Sequence, residues 1–330
     1  MKCINKKTRI FAAAFCMFLL FTACGEEVTI EHPYDVYESP RAYGLNTTVS
    51  GNESEQSFFS KDLCVAGTED VLSDSVTASL SEAAGLFDIQ ENNLKFGKNI
   101  YGRIYPASTT KILTAYVAMK HGDLSKTATV TEQELQLEEG SSTCGLSVGD
   151  TFSLEELLYG LMLCSGNDAA NVIADLVAGS TDAFAKLMNQ EALALGATNS
   201  HFVNPHGLHS EEHYTTVYDM YLIFQAALEE EKFVSIISAQ SHMTSFSRST
   251  GEAASMNWEN TNKYLNGEVE TPEGIQVIGG KTGTTNDAGY CLVLYSKNSR
   301  DVPHISIIYK SDSRENLYHE MSELLMESAK

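Results

Sequence analysis

Apolar positions change their spacing three times along this chain. AAGLFDI and LKFG are two short apolar runs joined by QENN, the pattern of a pair of strands. In PASTTKILTAYVAMKHG, from Pro106 to Gly122, Ile112, Leu113, Tyr116 and Val117 recur at helical spacing, which predicts a turn running into an amphipathic helix. SLEELLYGLMLCSG, NDAANVIADLVAG, DAFAKLMNQEALALG and TVYDMYLIFQAALEEE keep that period from Ser153 to about Glu231, each opened by a capping residue or closed by a glycine or an acidic run. Strands then return as HMTSFSR, GIQVIGGKTG, GYCLVLYS and VPHISIIYK, ahead of a C-terminal helix ending at Lys330. Strands at both ends around a helical middle predict an α/β fold: an antiparallel sheet completed by both chain ends and flanked by helices, with an all-α lobe inserted over about residues 120–240. A cleft between two such lobes is where a site is expected.

The first residues add a leader. Lys2, Lys6, Lys7 and Arg9 precede an apolar run from Ile10 to about Leu20, too short to span a bilayer comfortably, and small residues follow. This is the layout of a signal peptide, so residues 1–23 are expected to be removed on export. Phe21-Thr22-Ala23-Cys24 resembles the lipobox of bacterial lipoproteins, which implies that Cys24 is acylated and anchors the protein to the outer face of the cytoplasmic membrane. Residues 24–75 are polar and acidic without a sustained period, and GLNTTVSGNESEQS is the clearest linker stretch. As a coil of about fifty residues such a tether would span on the order of 40 Å. Residues 76–330 are then expected to form one folded domain.

Charge narrows the partners. The four leader cations leave 18 Lys and Arg against 44 Asp and Glu, a net −26 beyond the leader. That balance argues against nucleic acid and against bare anionic polymers, and it requires any pocket for an anionic substrate to be locally cationic. Cys64, Cys144, Cys164 and Cys291 remain after the leader and Cys24, without CxxC or zinc-finger spacing; an exported chain permits disulfides among them, and the sequence does not pair them.

Candidate chemistry begins at Ser108 and Lys111. A helix start favours Ser or Thr as a cap and disfavours a cation, because its unpaired N–H groups already make it positive. A lysine held there beside an apolar stretch is pushed toward the neutral amine, a base one turn from a hydroxyl. A capped, solvated helix start is the bland alternative for this pair. Ser-x-Asn occurs at Ser50, Ser165, Ser255 and Ser296 and carries little alone, whereas Lys281-Thr282-Gly283 occurs once, at a glycine-rich strand end that lets backbone approach a ligand. Order and setting discriminate: Ser-x-x-Lys at a helix start, Ser165-Gly166-Asn167 at a helix end, Lys-Thr-Gly on a late strand.

With their flanks, PASTTKILTAYVA, LMLCSGNDAANVIA, HFVNPHGLHSEEHYTT and IGGKTGTTNDAGYCLV resemble the serine-type D-alanyl-D-alanine carboxypeptidases, the low-molecular-mass penicillin-binding proteins of the DD-peptidase/β-lactamase fold. The resemblance runs from about Glu82 to the C-terminus. It implies that Ser108 is the nucleophile, Lys111 its base and Ser165 a proton relay to the leaving D-alanine. It further implies that Asn167 holds the substrate amide, that Lys281, Thr282, Gly283 and Thr284 hold the terminal carboxylate, and that the N–H groups of Ser108 and Thr284 form the oxyanion site. The partners implied are peptidoglycan stem peptides, with β-lactams as covalent inhibitors; no cofactor and no metal is implied, and His206, His209 and His213 lie in stretches shared with this metal-independent family. Arg314 reads as a surface arginine more than as a further carboxylate contact.

Two departures qualify the match. Only 49 residues follow Lys281, too few for the C-terminal β domain many relatives carry, and Cys164 stands just before Ser165 as a packing residue or an oxidation-sensitive thiol. No Glu-x-x-Leu-Asn segment is present, so a β-lactam is expected to acylate Ser108 and leave slowly. Endopeptidase or transpeptidase action at the same site, and a non-catalytic β-lactam-sensing or wall-binding lipoprotein, are the alternatives.

Overall fold

Five strands, the central ones buried on both faces, frame the domain in a computed structural model that describes residues 63–330; the leader, Cys24 and most of the tether lie outside the described residues. β1 (Ala83–Asp88), β2 (Asn93–Lys98), β7 (Ile275–Thr285), β8 (Gly289–Asn298) and β9 (Pro303–Ser311) form one antiparallel sheet in the order β2-β1-β9-β8-β7. Both ends of the domain therefore complete the sheet, as the strand pattern predicts. Successive residues alternate between two cores: Ala84, Leu86, Leu292, Leu294 and Ile308 pack under the last helix, α7 (Arg314–Glu327), while Ala83, Phe87, Val293, Ile305 and Ile307 face the helical lobe. Covering both faces turns these strands into continuous apolar runs, each large side chain contributing about 1.5–3 kcal/mol on burial.

The lobe is built on α1 (Lys111–His121), which packs against α2 (Leu154–Leu163), α3 (Asn167–Ala178), α4 (Thr181–Ala194) and α5 (Val217–Leu228). A fifth lobe helix after α1, α6 (Glu231–Ser238), ends against β7. Ser153, Ser180, Thr216 and Ser313 cap α2, α4, α5 and α7 with their side chains, as their positions in the sequence suggest. Two expectations need correcting. α1 is not amphipathic: every residue from Lys111 to Ala118 is buried, and its polar groups are satisfied inside, Thr114 donating to the Pro205 carbonyl at 2.6 Å. Nor is the lobe all helical. β3 (Thr127–Thr129), β4 (Thr151–Ser153), β5 (Ser241–Ser247) and β6 (Ala253–Glu259) form a second sheet in that order, packed through the stacked rings of Phe152 and Phe246 (4.5 Å) and Trp258.

The domain also starts earlier than its composition indicates. Cys64 is fully buried; its N–H donates to Tyr221 Oη (2.8 Å) and its carbonyl accepts from Tyr218 Oη (2.8 Å). Val71 exchanges two backbone bonds with Gly97 at 2.8 and 2.7 Å. Residues 63–75, assigned to the tether, are thus docked on the fold. Among the described residues no helix is long and apolar enough to cross a membrane.

Candidate active site

Ser108 sits in a single 3-10 turn, Ala107–Thr110, that leads into α1. The turn closes on itself: the N–H and hydroxyl of Thr109 both donate to the Pro106 carbonyl, at 3.2 and 2.7 Å. Neither Ser108 nor Thr110 caps α1 with its side chain, so the bland reading of this stretch fails. Ala107 at φ 47° holds the left-handed backbone that throws the turn, a conformation costing a non-glycine residue about 1 kcal/mol.

Lys111 reaches back along the turn. Its Nζ has three partners: Asn167 Oδ1 at 2.7 Å, the His206 carbonyl at 2.7 Å and Ser108 Oγ at 3.0 Å. A neutral amine has two hydrogens and one lone pair. Two of these partners are carbonyl oxygens that only accept, so they take the hydrogens; the hydroxyl can donate, and the lone pair is left to it. The side chain is fully buried, and burial, aided by the charge of Lys281, holds its pKa well below the ordinary lysine value, against the opposing pull of Asp168. Burial and the charge of Lys281 favour the free base, and in that form the two carbonyl partners leave its lone pair to Ser108.

Ser165 and Asn167 come from the break between α2 and α3. α2 ends at Leu163, Ser165 takes a left-handed φ of 61°, and Gly166 starts α3 without a side-chain cap. Neither side chain caps a helix; the Ser165 hydroxyl accepts from Lys281 and the Asn167 amide oxygen from Lys111. The turn is held by Asp168, a buried carboxylate accepting the N–H groups of Cys144, Gly145, Leu146 and Ala169 at 2.9–3.2 Å, while the Asn167 N–H donates to the Ser142 carbonyl at 2.8 Å. Trp258 Nε1 fixes the same loop through the Cys144 carbonyl (2.8 Å).

β7 supplies the third side. Lys281, which a lone strand would leave exposed, is 1 % exposed; its Nζ donates to Ser165 Oγ at 3.1 Å and to the Thr282 carbonyl at 2.9 Å, and burial draws its pKa down to about 7. Thr282 Oγ1 lies 2.9 Å from Thr261 Oγ1. A Cβ on Gly283 would lie 3.0 Å from both Ser108 N and the Pro106 carbonyl, so the close approach of strand and turn requires glycine there. Ser108, Ser165, Thr282, Gly283 and Thr284 line one cleft between sheet and lobe.

Arg314 is exposed, as expected of a surface arginine, and lines this cleft with Lys263, its guanidinium 5.8 Å from the centre of the Tyr290 ring. The three histidines serve separate ends. His213 accepts the Val203 N–H at Nδ1 (3.1 Å), which leaves Nε2 to donate to Thr110 Oγ1 (2.8 Å). His206 offers its carbonyl to Lys111, and His209 packs edge-on against Tyr105. Burial lowers the pKa of His206 and of His213 to about 3. Among the described residues no three His, Cys, Asp or Glu side chains gather as a metal site. Cys64, Cys144, Cys164 and Cys291 are all free; Cys164 lines the cleft, and burial raises its thiol to about 11, which disfavours the reactive thiolate.

The sequence did not single out Asp168, Ser142, Lys263 or the His206 carbonyl. An acid in the first turn of α3 is the one local signal for Asp168; the others act through backbone or through contacts distant in sequence.

A serine bonded to a buried amine, with a second buried lysine on the facing strand, sets this protein in the class of serine–lysine proteins of the penicillin-binding/β-lactamase fold. More narrowly, the chain belongs to the D-alanyl-D-alanine carboxypeptidase family, which matches residues 71–313. It is 29 % identical over 253 residues to D-alanyl-D-alanine carboxypeptidase DacF of Bacillus subtilis (strain 168), covering 74 % of this chain and 61 % of that one. With D-alanyl-D-alanine carboxypeptidase DacA of Escherichia coli (strain K12) it shares 34 % over 222 residues, 64 % of this chain and 52 % of that one. The chain thus spans between half and two thirds of the length of these relatives. Among solved structures it is similar to the Streptomyces K15 DD-transpeptidase, at 28 % identity and a TM-score of 0.70 over 76 % of this chain and 97 % of that one.

Proposed function

We propose that this protein is a serine D-alanyl-D-alanine carboxypeptidase that removes the terminal D-alanine from peptidoglycan stem peptides through an acyl-enzyme on Ser108. The observation that carries the reading is the hydrogen-bond inventory of Lys111, whose lone pair is left to Ser108 Oγ at 3.0 Å. Lys111 takes the hydroxyl proton as Oγ attacks the carbonyl between the two D-alanines. The negative oxygen that forms is met by the N–H groups of Ser108 and Thr284, brought together by the approach that Gly283 permits. The proton taken by Lys111 is relayed by Ser165, held by Lys281, to the departing amine, and water then hydrolyses the ester to regenerate Ser108. Asn167 orients the peptide amide. Lys281, Thr282, Thr284 and the cleft-lining Arg314 supply the local positive field that a terminal carboxylate requires on a chain of net −22.

The export signal and the lipobox-like stretch support placing the enzyme outside the cytoplasmic membrane, anchored by lipid on Cys24. Replacing Cys24 by Ser should shift the protein from the membrane fraction to the soluble one. For the activity, D-alanine release is measured from a peptide ending in D-Ala-D-Ala, beside a mass measurement after exposure to penicillin. The wild type releases D-alanine and gains one penicillin mass; Ser108→Ala does neither, with a loss of about 10⁴-fold or more in rate. Release by the folded Ser108→Ala variant would sink the assignment of the nucleophile. Cleavage of a cross-linked peptide dimer without D-alanine release would replace carboxypeptidase by endopeptidase.

A further inference from the structure

Behind the 204–208 segment that carries the His206 carbonyl lies a second polar pocket, lined by Glu134, Asn171, Asp175, Gln133, Asn204 and His206 among others. Its chemistry is one-sided. Glu134 is 6 % exposed and Asp175 half-buried, burial and the neighbouring Glu134 carboxyl raise the Asp175 pKa, and no lysine or arginine lines the pocket. Glu134 is pinned from behind, Oε2 accepting the Thr131 N–H at 2.6 Å and the Thr131 hydroxyl. Two carboxylates so placed repel each other unless something positive joins them.

A second observation is independent of the acids. Asn171 precedes Asp175 by one turn of α3, so the two share a face. Its Nδ2 donates to the Glu134 carbonyl at 3.1 Å, which fixes which way the amide points. Oδ1 is then a buried acceptor without a hydrogen-bond partner, on a residue only 8 % exposed that lines the same pocket. An orphaned buried carbonyl costs stability, and a hydrogen-bond donor or a cation would remove that cost.

We propose that Glu134, Asp175 and the Asn171 amide oxygen bind a hard divalent cation, calcium in preference to zinc or magnesium. All-oxygen ligands of mixed carboxylate and amide type, on a helix and a loop without octahedral regularity, suit calcium; the neutral oxygens of Gln133 and Asn204 are at hand to complete its shell. The site is separate from the Ser108 cleft and does not depend on the activity proposed for it. Its effect would be structural, tying α3, which begins at Asn167, to the loop after β3.

The test titrates calcium chloride into the full-length protein by calorimetry and follows its thermal midpoint, with magnesium chloride in parallel. The expected result is one calcium per chain, with a midpoint raised by about 3 °C when calcium stands roughly tenfold above its dissociation constant. Asp175→Asn, which keeps the shape and removes one charge, should abolish both responses while retaining the wild-type circular dichroism. No binding by the wild type would overturn the proposal. Undiminished binding by Asp175→Asn would put the calcium elsewhere and overturn it equally. Magnesium bound more tightly than calcium would refute the choice of metal.

Discussion

Lys111 and Lys281 are both buried in one cleft, yet they are asked to be different species. Lys111 acts without its proton, whereas Lys281 meets a carboxylate best with its own. With the Lys281 pKa drawn to about 7, the dependence of kcat/KM on pH, which reports the free enzyme, should have an alkaline limb near that value, where Lys281 loses its charge. An acid limb should mark protonation of Lys111. A substrate ester lacking the terminal carboxylate should keep the acid limb and lose the alkaline one; an unchanged alkaline limb would assign it to another group. The same burial has a cost in stability. The folded value for Lys281 lies below the unfolded 10.5, so folding favours the deprotonated form. The penalty is full below about pH 7 and fades as pH approaches 10.5. Lys281→Met should therefore abolish D-alanine release while raising stability at pH 7 by about 2 kcal/mol or more, a gain that shrinks by pH 10. Thermal melts at the two pH values decide it.

At the scale of elements, the site depends on how closely β7 meets the turn before α1. Gly283→Ala places a methyl 3.0 Å from Ser108 N, tight enough to move the turn by a few tenths of an ångström. We expect at least a tenfold fall in kcat/KM with a change in melting temperature under 3 °C, since the strand's ladder to β8 survives. A large fall in melting temperature with the activity per folded molecule retained would refute the argument. Elements also show what was legible. Ser108 and Lys111 could be paired in the sequence because three residues span one turn, a distance the local geometry fixes. The second sheet could not: β3 and β4 are three residues each, TAT and TFS, and join β5 only through pairing with residues about a hundred positions away. α1 looks amphipathic in sequence because Lys111 and Thr114 are polar, and only tertiary partners such as Pro205 and His206 make burial of that face affordable.

For the whole molecule, the docking of residues 63–75 ties the start of the described chain to the far side of the lobe. Composition suggested a tether because the partners of Cys64, Tyr218 and Tyr221, lie more than 150 residues away. Tyr221 is fully buried and stacks on Phe87 at 4.2 Å, so Tyr221→Phe removes only the oxygen that accepts the Cys64 N–H. Leaving that N–H unpaired should cost about 1–2 kcal/mol and lower the melting temperature by about 3–6 °C, with kcat/KM unchanged. An unaltered melt would mean that this segment adds nothing to the fold.

β7 is the last strand of its sheet, and an edge strand is the place where one copy of a protein most readily pairs with another. Two neighbours also press on a face of this strand where glycine leaves room. A Cβ on Gly279 would lie 2.5 Å from the Ile237 carbonyl at the end of α6, and Gly283 is backed by the Ser108 turn. Variants that loosen α6 would uncover this edge strand and should scatter light on storage, while fresh samples still turn over substrate.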